Sequence, residues 1–232
     1  MKKKLLWLIP IIIVLLLYQF IFNSSYKPTI EAMATMREGI LEDGYVSFIP
    51  PDADQIGIII YPGGKVSYEA YAPFAKDLSE QGYATFVVEM PLDLAIFGSD
   101  NASKVIESNP TITEWYILGH SLGGVMAAEY AYENDIKGLV LLASYPQDKH
   151  DFKDKDIKVL SIIGSNDGLV DKNTFNQSKM IMPLDAMYKT IPGGNHAQMG
   201  SYGKQKNDLD ATITEEEQRY QVIETIVKWL ND

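Results

Sequence analysis

The stretch Trp115-Tyr116-Ile117-Leu118-Gly119-His120-Ser121-Leu122-Gly123-Gly124-Val125-Met126-Ala127-Ala128-Glu129-Tyr130-Ala131 decides how this chain folds. Its first four residues are uniformly apolar, as in a strand buried on both faces of a sheet. Its last seven read as a helix. Between them Gly119-His120-Ser121-Leu122-Gly123 forms a G-x-S-x-G pentapeptide at a strand-to-helix turn. Such a turn pushes the serine above the carboxyl end of the sheet in a strained backbone conformation, and the flanking glycines lack the Cβ atoms that would collide there. A glycine-rich turn with an exposed serine is the plainer alternative. The partners of Ser121 must decide between them.

Strand and helix alternate on both sides of this stretch. Upstream, Tyr45-Val46-Ser47-Phe48-Ile49 alternates and stops at Pro50-Pro51. Ile56-Gly57-Ile58-Ile59-Ile60-Tyr61 is a β-branched run expected of a strand inside a parallel sheet. A helix is expected over residues 68–80, a strand over 83–88 and a further helix over 99–108. Downstream, residues 138–143 and 157–163 read as buried strands, 172–180 as a helix and 186–191 as a strand. The last helix is expected over 215–230, opened by a Thr214–Glu217 capping box, with Tyr220, Ile223, Ile226, Val227 and Leu230 on one face. This order predicts an α/β fold with a doubly wound, mostly parallel sheet. Between residues 144 and 156, Gln147-Asp148-Lys149-His150-Asp151 is too polar to build a lid, so a minimal cap or none, and an open site, are expected.

Ahead of the domain, Met1-Lys2-Lys3-Lys4 precedes an uncharged run, residues 5–22, whose one strongly polar member is Gln19. At about 18 residues the run lies at the short end of the length that spans a bilayer. The three lysines favour a cytoplasmic N-terminus. A cleaved signal peptide competes, but the run exceeds a usual apolar region of that kind, and Asn23-Ser24-Ser25-Tyr26 offers no small-residue cleavage site. The expected organisation is a basic cytoplasmic tip (1–4), a single-pass transmembrane signal anchor (5–22), a stalk and entry segment (23–43) and one α/β domain (44–232). The α/β domain would then lie at the cell membrane on its extracytoplasmic side.

Leaving out Lys2, Lys3 and Lys4, the chain carries 17 basic against 31 acidic residues. A net charge of about −14 opposes binding to nucleic acid or to an anionic surface, and serves solubility. Absence of cysteine excludes disulfides, thiolate metal sites and cysteine nucleophiles. No metal or organic cofactor is implied, and the oligomeric state is not encoded in any pattern we recognise.

A serine hydroxyl becomes a nucleophile when a base takes its proton and a third group orients that base. In open α/β sheets these groups stand at the carboxyl ends of strands. Of the three histidines, His120 lies inside the turn, His150 in a charged loop, and only His196 follows a strand, in Ile191-Pro192-Gly193-Gly194-Asn195-His196. The acid should precede it in the order Ser, Asp, His. Asp167 follows the strand 157–163, within Gly164-Ser165-Asn166-Asp167-Gly168. Asp171 reads as a helix cap, and Asp148 as a weaker substitute. An oxyanion would need two backbone N–H groups: that of Leu122, and one from Tyr61-Pro62-Gly63-Gly64-Lys65-Val66, where Gly64 and Lys65 are joint candidates. Leu92 and Phe97, in the apolar segment 90–98, and Gln198 and Tyr202, after the base, are candidate substrate-binding residues.

The blocks Tyr61-Pro62-Gly63-Gly64, Tyr68-Glu69-Ala70-Tyr71-Ala72-Pro73, Met90-Pro91-Leu92-Asp93-Leu94-Ala95, and residues 119–124, 164–168 and 193–203, resemble an α/β-hydrolase group near the dienelactone hydrolases. The resemblance covers nearly everything after residue 40. It implies the α/β-hydrolase fold, a Ser121–Asp167–His196 triad and hydrolase activity without fixing a substrate. Dienelactone hydrolases proper use a cysteine nucleophile, which this chain lacks, so lactone hydrolysis is not carried over. Many relatives have a histidine at the position of Pro62. The expected function is that of a membrane-anchored serine hydrolase acting on a small ester or thioester through an acyl-enzyme. An amidase or acyltransferase would use the same residues. A non-catalytic binding module on the same scaffold is the rival from another class.

Overall fold

The structure, a computed structural model, describes residues 12, 14, 15, 18, 25–53 and 55–232. Apart from those first four positions, the expected anchor lies outside the described residues. Among the described residues, no helix is long and apolar enough to cross a membrane.

A single eight-stranded sheet forms the frame, in the order β1-β2-β4-β3-β5-β6-β7-β8. Its strands are β1 (Ile40–Glu42), β2 (Tyr45–Phe48), β3 (Ile56–Tyr61), β4 (Ala84–Val88), β5 (Glu114–His120), β6 (Gly138–Leu142), β7 (Lys158–Gly164) and β8 (Met187–Ile191). The β1–β2 and β2–β4 pairs are antiparallel, and every other pair is parallel. Consecutive side chains of a strand alternate between the faces. Ile58, Ile60, Tyr116 and Leu118 join one apolar cluster, and Ile59, Tyr61, Trp115 and Ile117 the other. Helices α2 (Ala72–Ser79) and α6 (Glu215–Asn231) cover the first face. The second is covered by α3 (Asn101–Ser108) and α4 (Leu122–Glu133). Two shorter helices, α1 (Ile30–Met36) and α5 (Lys172–Ser178), complete the set among the described residues of 25–232.

Three local readings change. Residues 68–80 form a 3-10 turn, Tyr68–Tyr71, followed by α2, rather than one helix. Pro73 has no N–H and its ring conflicts with the carbonyl four residues back, so the α-helix starts at Ala72 with the proline in its first turn. The entry segment ends in β1, whose residues are all exposed and give no alternation to read. On α6 the capping box forms as expected, but the buried residues are Gln218, Val222, Ile223, Ile226 and Trp229, and Tyr220 is 66% exposed. Between β6 and β7 no further domain intervenes.

Candidate active site

Ser121 sits between β5 and α4 with φ 51° and ψ −121°, a left-handed conformation that costs a non-glycine residue on the order of 1–3 kcal/mol. The neighbourhood holds it there. Its N–H donates to the Leu142 carbonyl at 3.0 Å, and Ser144 Oγ donates to the Ser121 carbonyl at 2.7 Å. The glycines are required by close approach rather than by positive φ. A Cβ on Gly119 would lie 2.4 Å from the Gly123 carbonyl oxygen, one on Gly123 2.2 Å from that of Pro62, and one on Gly124 2.5 Å from the Ser144 side chain. The start of α4 is thereby pressed against β5, β6 and the loop after β3.

That loop carries the other amide groups of interest. The Gly63 N–H donates to Tyr71 Oη at 2.9 Å, and the Lys65 N–H donates to the Asp93 carbonyl at 2.6 Å. Lys65 is therefore the poorer of the two sequence candidates, because its amide is already engaged. Among the described residues the amides of Leu122 and Gly64 have no such partner, and a Cβ on Gly64 would lie 3.0 Å from the Leu122 side chain.

Asp167 and His196, brought from the loops after β7 and β8, meet at 2.9 Å between Oδ2 and Nδ1. Both are buried. Oδ1 of Asp167 accepts the N–H groups of Leu169 (2.9 Å) and Val170 (2.8 Å). Burial alone would raise the pKa of this carboxyl, but the hydrogen bond and charge of His196 and the two amides together hold it below the usual value. As an ionised acceptor it fixes the imidazole proton on Nδ1, and Nε2 has no hydrogen-bond partner among the described residues. A cavity of about 390 Å³ is lined by residues that include Ser121, Leu122, Ser144, Tyr145, Leu169 and His196. Of the other acids, Asp171 caps α5 by accepting from the Thr174 N–H, and Asp148 is exposed.

Leu92 and Phe97 do not line this cavity: Leu92 offers its carbonyl to Lys65 Nζ at 3.1 Å, and Phe97 is 57% exposed. Gln198 and Tyr202 also lie outside it. Gln198 Nε2 donates to the Ile213 carbonyl, and the Tyr202 hydroxyl to Gln205 Oε1, so both brace the loop that carries the histidine.

A model of the alpha/beta hydrolase family matches residues 57–220. The chain belongs to that family. Its description names no narrower group, so the likeness to the dienelactone hydrolases rests on the sequence blocks alone. No curated protein matches the chain. Solved structures of similar fold include a monoacylglycerol lipase of Paleococcus ferrophilus (13% identity, TM-score 0.63, covering 82% of this chain and 100% of that one). A CIB-like hydrolase of Thermoplasma acidophilum is similar at 16% identity and TM-score 0.61, covering 82% of this chain and 96% of that one. Est1E of Butyrivibrio proteoclasticus with bound ferulic acid aligns at 16% identity and TM-score 0.61, over 81% and 95% of the two chains.

Four further residues hold this hydrolase's site together. His120, fully buried, meets Tyr71 Oη through Nδ1 at 2.7 Å, and its ring lies 4.7 Å from that of His196. Tyr71 Oη already accepts from Gly63, so its own proton has one place to go, His120 Nδ1. Burial first, and then the nearby His196, keep His120 neutral, with its pKa well below the usual value. Asp208 accepts from Gly168 N and Ala197 N, both at 2.9 Å, and so joins the acid loop to the histidine loop. Gln218 of α6 exchanges two 2.9 Å hydrogen bonds with the backbone of Asn195. A lone amide among the apolar positions of α6 was a readable signal for Gln218. Nothing local marks the other three.

Proposed function

We propose that this hydrolase is a membrane-anchored serine esterase, cleaving a carboxylic ester or thioester through an acyl-enzyme. The observation that carries the reading is the buried Asp167–His196 pair, whose histidine lines the same cavity as the strained Ser121. In this mechanism His196 Nε2 takes the proton of Ser121 Oγ as the oxygen attacks the acyl carbon. The oxyanion is held by the Leu122 and Gly64 N–H groups. His196⁺, stabilised by Asp167, then passes the proton to the leaving alcohol or thiol, and water releases the acyl group by the same steps in reverse. Ester hydrolysis is the chemistry named for the Paleococcus neighbour, a monoacylglycerol lipase, and it fits an uncapped site of this size. The run 5–22, preceded by three lysines, anchors the chain with its catalytic domain outside the cytoplasm.

A fluorophosphonate probe tests the reading on the full chain in detergent. The unaltered protein should be labelled and Ser121→Ala should not. Absence of labelling in both would refute an activated serine.

A further inference from the structure

The segment just after the apolar run is tied into the active site. Tyr26 forms a parallel bridge with Val66, its N–H donating to the Lys65 carbonyl at 2.7 Å and its own carbonyl accepting from the Ser67 N–H at 3.1 Å. Residues 65–67 continue the loop that carries the Gly64 amide. Tyr26 also reaches the histidine loop: its hydroxyl accepts from the Lys206 N–H at 3.1 Å and its ring lies 5.6 Å from that of Tyr202. Three residues on, the Thr29 N–H donates to the Ser201 carbonyl at 2.9 Å. Residues 25–29 thus strap the two loops together on the face formed by the carboxyl ends of the parallel strands.

From Phe22, the last residue of the apolar run, to Tyr26 is four residues, a reach of at most about 14 Å. A compact domain of this length is about 40 Å across. A tether that short cannot carry the chain around the domain, so the face it leaves from is the one nearest the bilayer. That face also bears exposed apolar side chains: Ile30 (91%), beside the strap, Ile96 (50%), after β4, and Leu209 (56%), against Gly168.

We propose that the strap seats the active-site face on the membrane surface, and that the substrates are acyl esters of lipids held in that same leaflet. This rests on the anchored-esterase reading above and names its substrate class. Ile30, Ile96 and Leu209 meet the interfacial region, and a lipid ester enters from the leaflet without crossing bulk water. The negative charge of the domain disfavours anionic lipids, so neutral or zwitterionic esters are the fitting partners.

Because the chain has no cysteine, single labels are unambiguous. Full-length Ile96→Cys, Leu209→Cys and Leu184→Cys, each carrying a polarity-sensitive fluorophore, are reconstituted in phosphatidylcholine vesicles containing a nitroxide-headgroup lipid. Leu184 is fully exposed and apolar but precedes β8, at the amino ends of the strands, so apolarity alone does not separate the three positions. Quenching at Ile96 and Leu209 with none at Leu184 is expected; equal signals at all three would overturn the proposed seating. A second arm compares the unaltered chain with one carrying a 20-residue glycine-serine insert between Ser24 and Ser25, on a fluorogenic monoacyl lipid in the bilayer and on soluble p-nitrophenyl acetate. Lengthening the tether about sixfold should lower lipid turnover about fifteenfold, since effective concentration falls as roughly the −3/2 power of length, and leave the soluble ester unaffected. Unchanged lipid turnover would overturn the proposal while soluble-ester activity still upheld the esterase. Failure of the unaltered chain on both substrates would overturn the esterase reading itself.

Discussion

Replacing Asp167 by asparagine tests the reading of the site at its most sensitive point. The carboxylate accepts three hydrogen bonds, two at Oδ1 from the Leu169 and Val170 amides and one at Oδ2 from His196 Nδ1. Asparagine has nearly the same shape but keeps one acceptor oxygen and puts two N–H donors where the other stood. With the two backbone donors fixed by the loop, the oxygen has to stay on their side. Turned the other way, the NH₂ would face two N–H groups and leave them unsatisfied in a buried place, at roughly 1–3 kcal/mol each. The NH₂ therefore faces His196, whose Nδ1 must now accept, and the ring proton moves to Nε2. An imidazole protonated at Nε2 cannot take the proton of Ser121. The expected outcome is a fall in kcat of about 10⁴-fold, or ~5.5 kcal/mol of transition-state stabilisation, as loss of the orienting carboxylate produces in triad enzymes. The assay is p-nitrophenyl acetate hydrolysis by full-length protein, with circular dichroism to show that the fold persists. A kcat within tenfold of the unaltered enzyme would refute the role given to Asp167.

Two further outcomes follow from the geometry. His120 is held neutral in the folded protein by burial, whereas in the unfolded chain it binds a proton below about pH 6.5. Its contribution to stability is therefore complete above that pH and is lost by about 1.4 kcal/mol per pH unit as the pH falls toward its depressed folded value. Urea melts between pH 7 and 5 should show a slope shallower by one proton in His120→Gln, and an identical slope would remove His120 from the account. In Gly123→Ala the new Cβ would stand 2.2 Å from the Pro62 oxygen and 2.4 Å from the Tyr61 oxygen, both backbone atoms. Forcing α4 off the loop after β3 should cost about 1–3 kcal/mol and lower Tm by several degrees in a domain of this size, together with a loss of kcat. A calorimetric Tm unchanged to within a degree would contradict the close packing described.

What the sequence made legible follows from what local pattern can encode. Residues 56–61 and 115–118 announce buried strands because both faces of the sheet are covered, so every position is apolar. Ser121, Asp167 and His196 stand out as candidates because chain order and strand ends leave few alternatives. Residues 40–42 gave no strand signal, since an edge strand exposed throughout has no inner face to mark. Leu92 and Phe97 lie outside the cavity lining, and the sequence does not mark this for a related reason: apolar residues in a loop signal either a pocket wall or an exposed rim, and composition does not separate the two. The bonds of Tyr71 to His120 and of Tyr26 to Lys206 span 49 and 180 residues. No periodicity reaches that far. They become visible only when the sheet has brought the loops together.

Among the described residues, six without the freedom of glycine have positive φ: Lys65, Leu92, Asp93, Ser121, Ala143 and Asn207. The first five lie just beyond the carboxyl ends of β3, β4, β5 and β6, and Asn207 next to Asp208, which ties the acid and histidine loops. At roughly 1–3 kcal/mol each, their sum is comparable with the whole stability of an ordinary domain, about 5–15 kcal/mol. The rest of the protein is accordingly a conventional scaffold carrying one rim under tension. Selection for heat resistance would find its easiest gains at that rim, where Ala143→Gly relieves strain but loosens the strand end from which Ser144 grips Ser121. Hardening this enzyme and keeping it active are competing demands where the strained residue also lines the cavity, as Ser121 and Ala143 do.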